Sequence, residues 1–376
     1  MTLSNVLPLA LFCLASVVRA QVPHAASTAR KPHADTSWRQ QAVYFSDRKP
    51  ILGVPTPATR LIAHCSEDGT TFLNEIPGPD ATTIPDLYRV TSSGEGLPIR
   101  RELPLDFINL SVRDFFAADH TLVTLLEGIR RNDHNDPSAV RETGYFLSLS
   151  DPDGTSPKLL TLDLKFKPVK VALFGTGDFL VLGWDEINLL PLLALVKEDG
   201  TVRRFVDFDE HQHAAPYTTF GSAKEAEAAP NHVTLGSLQR AAFVPYGQQV
   251  LLTYPGTARS VRVLSAMGED RSIPIALPPG FVLHDVLVSG AGYPLVLRAQ
   301  PREASPGAST TPARRLFEMN SYNGLLLREF VFAHPGVGDV TCASTTTLSA
   351  IFFDAIANPA TPSDATELVV ATAPRR

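Results

Sequence analysis

Residues 170–184 read KVALFGTGDFLVLGW: a lysine opens a short apolar run, Gly-Thr-Gly-Asp interrupts it, and a nearly continuous aliphatic run follows. Two β-prone runs separated by residues that tolerate positive φ form a hairpin. The unit recurs at residues 60–75 (RLIAHCSEDGTTFLNE), 113–127 (RDFFAADHTLVTLLE), 240–254 (RAAFVPYGQQVLLTY), 285–299 (DVLVSGAGYPLVLRA) and 339–353 (DVTCASTTTLSAIFF), six copies in all. These are strands A and B of each unit. A second hairpin, C and D, follows most of them with Gly, Asp-Gly or Asn-Gly near its tip, as in residues 192–208 (LLALVKEDGTVRRFVDF) and 315–332 (RLFEMNSYNGLLLREFVF). Helical periodicity is nearly absent.

Four short strands in repeats of roughly 40 to 50 residues are the signature of a β-propeller. A lone hairpin is marginal in water, whereas a four-stranded sheet between two neighbours buries both faces, as the apolar B strands require. The expected fold is therefore an all-β, six-bladed β-propeller of four-stranded antiparallel blades over residues 59–376. A pair of β-sandwiches or a β-solenoid is the competing arrangement, and six A-B pairs favour the ring. Blade six runs out of sequence after Glu367-Leu368-Val369-Val370, before a fourth strand. An uncovered edge invites aggregation, so the segment Gln41-Ala42-Val43-Tyr44-Phe45 is expected to supply the missing strand and close the ring.

Residues 1–20 have the pattern of a signal peptide: an apolar stretch from Val6 to Val18, then Val18-Arg19-Ala20 ahead of Gln21. The n-region contains no Lys or Arg. Residues 21–58, rich in Pro, Ala, Thr and His, are expected to form a flexible leader that includes the ring-closing strand. Cleavage would remove Cys13 and leave two cysteines, Cys65 and Cys342, both in A strands of blades adjacent across the closure. A disulfide between them fits an oxidising compartment, so the protein is expected to be secreted or periplasmic.

The chain of 376 residues carries a net charge of -6 and no basic cluster, which argues against a nucleic-acid partner. No stretch is suited to a transmembrane span, and a monomer is expected. The long connections Pro77 to Pro85, Ile129 to Val140, Pro301 to Ala313 and Ala355 to Ala365 join strands B and C, and Phe208 to Leu235 joins D to A. All five leave by one face, and insertions confined to one face mark a binding face.

Residues opening strand A stand at the channel mouth on that face: Arg60, Arg113, Lys170, Arg240, Asp285 and Asp339, with His284 beside Asp285. Four cations on consecutive blades would draw a carboxylate, phosphate or acidic sugar. Charges at strand ends are also simply well solvated there, and a register error of one residue turns a side chain to the other face. Asp209, His211 and His213 have metal-like spacing, which leaves a divalent metal open; no other cofactor is expected. Nucleophile-elbow, metalloprotease, P-loop and redox Cys-x-x-Cys motifs are absent, and Asp151-Pro152-Asp153-Gly154 lacks the later residues of a calcium loop.

Over residues 59–376 the repeat pattern resembles that of secreted bacterial six-bladed propellers of the NHL or TolB-like kind. The resemblance is one of architecture and brings no functional residue with it. Fold analogy says little about function; it is the one-sided long connections that lead to the expectation of a secreted propeller binding a protein or carbohydrate through its loop-rich face. The alternative is an extracellular hydrolase or lyase acting on a small anionic or sugar substrate at the channel mouth. An enzyme needs a pocket with convergent polar groups and a perturbed titrating group, whereas a scaffold predicts a plugged channel and an apolar rim.

Overall fold

The computed structural model describes residues 39–45, 60–76, 84, 87–118, 121–130, 142–206, 238–239, 241–253, 260–287, 290, 292–301, 315–330, 340–355 and 366–375. The proposed signal peptide and the long connections on the loop-rich face lie outside or almost wholly outside them. Two short strands, β1 (Arg39–Ala42) and β2 (Tyr44–Phe45), precede the first blade.

Blade one comprises β3 (Arg60–Cys65), β4 (Thr71–Ile76), β5 (Leu87–Val90) and β6 (Glu95–Ile99). Blade two holds β7 (Phe107–Ala117), β8 (Leu122–Arg130), β9 (Glu142–Ser150) and β10 (Lys158–Leu162). Blade three holds β11 (Lys167–Leu173), β12 (Phe179–Asp185), β13 (Leu190–Val196) and β14 (Val202–Val206). In blade four they are β15 (Ala242–Tyr246), β16 (Gln249–Thr253), β17 (Ser260–Leu264) and β18 (Asp270–Pro274). Blade five follows with β19 (Phe281–Leu287), β20 (Leu295–Pro301), β21 (Arg315–Met319) and β22 (Leu326–Phe330). Blade six has β23 (Val340–Ala343), β24 (Thr347–Ala355) and β25 (Thr366–Pro374).

Blade three shows why the repeat folds this way. Its strands pair antiparallel in chain order. The β11–β12 turn is closed by Phe174 N donating to Asp178 O at 2.9 Å and Gly177 N donating to Phe174 O at 2.9 Å, with Gly177 at a φ of +94° that a side chain would resist. From Phe179 to Trp184 every residue of β12 is buried, because both faces of the sheet meet a neighbouring blade. Each innermost strand contacts the next, β3 to β7, β11, β15, β19 and β23, and β23 contacts β3 again. The structure is thus a closed ring of six blades, and among the described residues no helix is long and apolar enough to cross a membrane.

The N-terminal segment closes the ring as expected. β1 pairs antiparallel with β25, Arg39 opposite Thr372 and Ala42 opposite Val369, and so becomes the outermost strand of blade six. Two residues on, β2 pairs in parallel with β6, the outermost strand of blade one. Val43 between them is 1% exposed and packs with Leu73, Tyr88 and Val90. Nearer the axis, the disulfide Cys65–Cys342 joins the innermost strands of the same two blades across a Cα separation of 5.6 Å. Arg375 secures blade five to blade six: its guanidinium donates to Glu318 Oε1 at 2.7 Å, Pro294 O at 2.7 Å and Ser344 O at 2.8 Å. Glu318 also accepts from Arg328 Nε at 2.7 Å.

The bridge closes a sequence separation of 277 residues, for which loop entropy sets an upper figure on the order of 5 kcal/mol. Replacing both cysteines by serine is expected to lower unfolding stability by about 2 to 4 kcal/mol, read from urea midpoints; an unchanged midpoint would mean that the closure does not depend on the bridge. Val43→Asp places an unpaired charge between blades six and one and should cost about 3 kcal/mol or more in the same measurement.

Candidate ligand site in the central channel

Every blade has an inner edge that no strand covers. β3, β7, β11, β15 and β19 each pair on one side only, so the backbone N–H and C=O groups of the other side face the channel. A cavity of about 230 Å³ occupies the channel, and runs of consecutive residues form its wall: 63–65, 114–117, 241–245 and 285–287. Consecutive lining residues mean that backbone, rather than one face of side chains, makes much of the surface. The titratable side chains that join it are His64, Asp114, Lys170 and Asp285, from four different blades.

Bulges determine which charges reach this cavity. The inner strands bulge between Val112 and Asp114, Pro168 and Lys170, Leu283 and Asp285, and Val340 and Cys342. Arg113, Val169, His284 and Thr341 are the extra residues, and the positions after the bulges are Asp114, Lys170, Asp285 and Cys342. The sequence alignment equates Arg113 with Lys170; both strands bulge at the same level, but the turn 118–121 of blade two is one residue shorter than the turn 174–178 of blade three, so Asp114 takes that place. Lys170 Nζ donates to Asp114 Oδ1 at 3.0 Å, and Val171 N on the uncovered edge of β11 donates to Asp114 Oδ2 at 2.9 Å. Arg113 pairs instead with Glu127 on β8. Asp285 accepts from Arg298 Nη2 at 2.9 Å and from Val286 N at 2.8 Å.

Burial raises the Asp114 carboxyl above its ordinary range, and Lys170 together with the Val171 amide only partly offsets it. His64, tilted against the Phe115 ring at 4.5 Å, is held down to about 3 by burial and secondarily by the Lys170 charge. At neutral pH the cavity therefore contains a neutral imidazole beside a Lys–Asp pair. Tyr145 on β9 is pushed up to about 12 by burial and then by Glu127 and Glu186.

A second cavity of about 220 Å³ lies toward the starts of the inner strands, lined by Arg113, Lys167, Lys170 and Gln239 over Val112, Pro168 and Val169. Lys170 belongs to both cavities. Lys167 Nζ lies 3.6 Å from Glu186 Oε1.

Of the residues picked from the sequence, Lys170 and Asp285 line the channel cavity and Arg113 the pocket above it. Arg60 opens β3, and only its backbone is described. Arg240, Asp339, Asp209, His211 and His213 lie outside the described residues. Among the described residues no group of three metal-ligating side chains gathers. Trp184 is buried in the blade-three core and does not present its face to the channel. Sequence reasoning missed His64, Asp114 and Lys167; the acidic residue directly after Arg113 and the charges two to four positions along the A strands were the available signals.

No family model matches the chain, and no curated protein does. Among solved structures, an α-L-arabinanase of Penicillium chrysogenum complexed with arabinobiose is similar at 11% identity and a TM-score of 0.44, covering 86% of this chain and 97% of that one. An exo-β-1,3-galactanase of Clostridium thermocellum is similar at 8% identity and a TM-score of 0.33, covering 77% and 64%. A putative glycosidase of Bacteroides thetaiotaomicron gives 9% identity and a TM-score of 0.31, covering 70% and 88%. The propeller rests on its own strand pairing; these chains resemble it in overall shape alone.

His64 makes stability depend on pH. Its folded value of about 3 lies below the 6.5 of the unfolded chain, so on acidification the unfolded state takes up a proton that the folded state refuses. Stability is full above about pH 6.5 and falls toward pH 3, by at most about 1.4 kcal/mol per pH unit. Asp114, raised from 3.8 by burial, acts in the opposite sense as the pH falls toward 3.8 and blunts that fall. Urea midpoints from pH 7 to pH 4.5 are expected to decline less steeply in His64→Gln than in the native protein; equal slopes would assign the acid sensitivity elsewhere.

Proposed function

We propose that the protein is a secreted propeller that binds a small polar molecule, of the sugar or sugar-acid class, in its central channel. The observation that carries this is the channel cavity, where uncovered backbone edges converge with His64, Asp114, Lys170 and Asp285. Closely spaced donors and acceptors suit a hydroxyl-rich ligand, and about 230 Å³ accommodates a group of monosaccharide size. Export through a signal peptide over residues 1–20 is part of the proposal, supported by the disulfide, which needs an oxidising compartment. In this reading the loop-rich face admits the ligand and offers any protein partner its surface, as in NHL or TolB-like propellers.

One observation favours a second reading, that of a hydrolase or lyase on the same substrate class. A carboxyl raised by burial and an imidazole lowered by it share one cavity, the opposed protonation that acid-base chemistry uses. Turnover of disaccharides containing a sugar acid, abolished in Asp114→Asn, would establish it.

Binding is tested by thermal shift of the mature protein with sugars, sugar acids and small carboxylates. A ligand specific to the folded state should add about 2.7 kcal/mol at a hundred times its Kd. Because a buried ion pair adds little net stability and an amide oxygen can still accept from Val171 N, the double variant Lys170→Met with Asp114→Asn is expected to keep the native melting temperature within a few degrees and to lose the ligand-induced shift. No shift with any compound, or a shift that survives in the double variant, would overturn the channel site.

A further inference from the structure

We propose that the pocket above the channel is an anion subsite, in which Arg113, Lys167 and Lys170, with the Gln239 amide beside them, hold a carboxylate or phosphate group of the channel ligand. The proposal rests on the channel reading and deepens it: the ligand is acidic, and its charged group sits between blades two and three.

The first ground is the composition of the pocket wall. Among the described residues it contains three cationic side chains and no carboxylate, in a chain whose net charge is -6. The partners of those cations lie to other sides. Glu127 is on β8, a strand outward from Arg113; Asp114 is in the channel cavity; Glu186 is 65% exposed on the β12–β13 connection and 3.6 Å from Lys167. The three cations thus border this cavity, while Glu127, Glu186 and Asp114 are not among its described lining residues.

The second ground is the degree of burial. The Arg113, Lys167 and Lys170 side chains retain 36%, 27% and 20% of their exposure. They remain reachable, while Val112, Pro168 and Val169 form a low-dielectric floor that strengthens their field on an anion. The bulges at Arg113 and Val169 take both residues out of the regular ladder at the same level of neighbouring strands, which opens the gap.

The third ground is continuity. Lys170 lines both cavities, so one ammonium can hold the acid group above while the body of the ligand meets the backbone edges and Asp114 below. Arg113 adds the paired donors that suit carboxylate and phosphate oxygens.

Calorimetry on the mature protein at fixed ionic strength, with glucuronate, glucose and inorganic phosphate as probes, tests this. Glucuronate is expected to bind at least tenfold more tightly than glucose, and phosphate to compete with glucuronate but not with glucose. In Arg113→Met with Lys167→Met, whose stems preserve packing, the preference should fall to within twofold while glucose affinity stays unchanged. Lys165→Met, at a lysine 92% exposed and outside the pocket, should keep the full preference. Equal affinity for glucuronate and glucose, or a preference that survives the double variant, would overturn the subsite and leave the channel reading standing. Phosphate binding alone, lost in the double variant, would support the subsite and withdraw the sugar ligand. Failure of all three probes to bind would withdraw both.

Discussion

A radial sheet is stable only when both of its faces and its outer edge are covered, and in the sixth blade the outermost strand comes from the N-terminal segment. The pairing of β1 with β25 is the interaction on which the remainder depends. Without it β25 would present a row of unpaired donors and acceptors, and the seam between blades six and one would rest on its inner end, where the disulfide lies. The chain uses the same short segment twice, first as the fourth strand of blade six and then as a fifth strand on blade one, with Val43 buried at the crossing. The disulfide holds the same seam at its inner end, and the Arg375–Glu318 pair joins blade six to blade five on its other side. A seam held at only one radius would leave the other free to part, and each such opening exposes apolar faces on two blades.

The inner edge poses the opposite problem, because geometry forbids a strand inside the first. Backbone groups along β7, β11, β15 and β19 therefore need other partners. Asp114 meets one of these needs through Val171 N, and Asp285 meets another through Val286 N. Each is a carboxylate placed directly after a bulge, where the strand is re-aimed. A polar channel follows from the architecture itself; ring closure, which buries the blades, concentrates the remaining unpaired groups at the axis. A ligand site there uses donors and acceptors that the fold leaves over.

Much of this was legible in the amino-acid pattern. Runs of alternating or continuous aliphatic residues with Gly-Thr-Gly-Asp and Asp-Gly turns specify hairpins locally, and a fourth-strand deficit in the last repeat points to the N-terminal segment. Cys65 and Cys342 occupy A strands of adjacent blades, so their pairing could be read as soon as the ring was. The site was less legible. The turn of blade two is one residue shorter than that of blade three, so matching the two repeats along their B strands sets Arg113, rather than Asp114, at the place of Lys170. His64 is a single imidazole in an apolar strand, a pattern that a buried core histidine shares. Lys167 stands three residues before the lysine that opens the repeat, and only the bulge at Val169 brings the two to one cavity.

Stability alone does not account for the charges at the centre. Taking a lysine and an aspartate out of water can cost more than their attraction returns, and a neutral amide in place of the carboxylate could accept from Val171 N equally well. The surrounding core is apolar: Phe115, Phe116, Val171 and Val244 are all buried beside the pair. Lys170 is instead kept with one carboxylate on the channel side and two further cations on the other, within reach of an incoming group. An anion entering the upper pocket would meet a lysine already desolvated and oriented by Asp114, so the cost of fixing that side chain is met in folding rather than in binding.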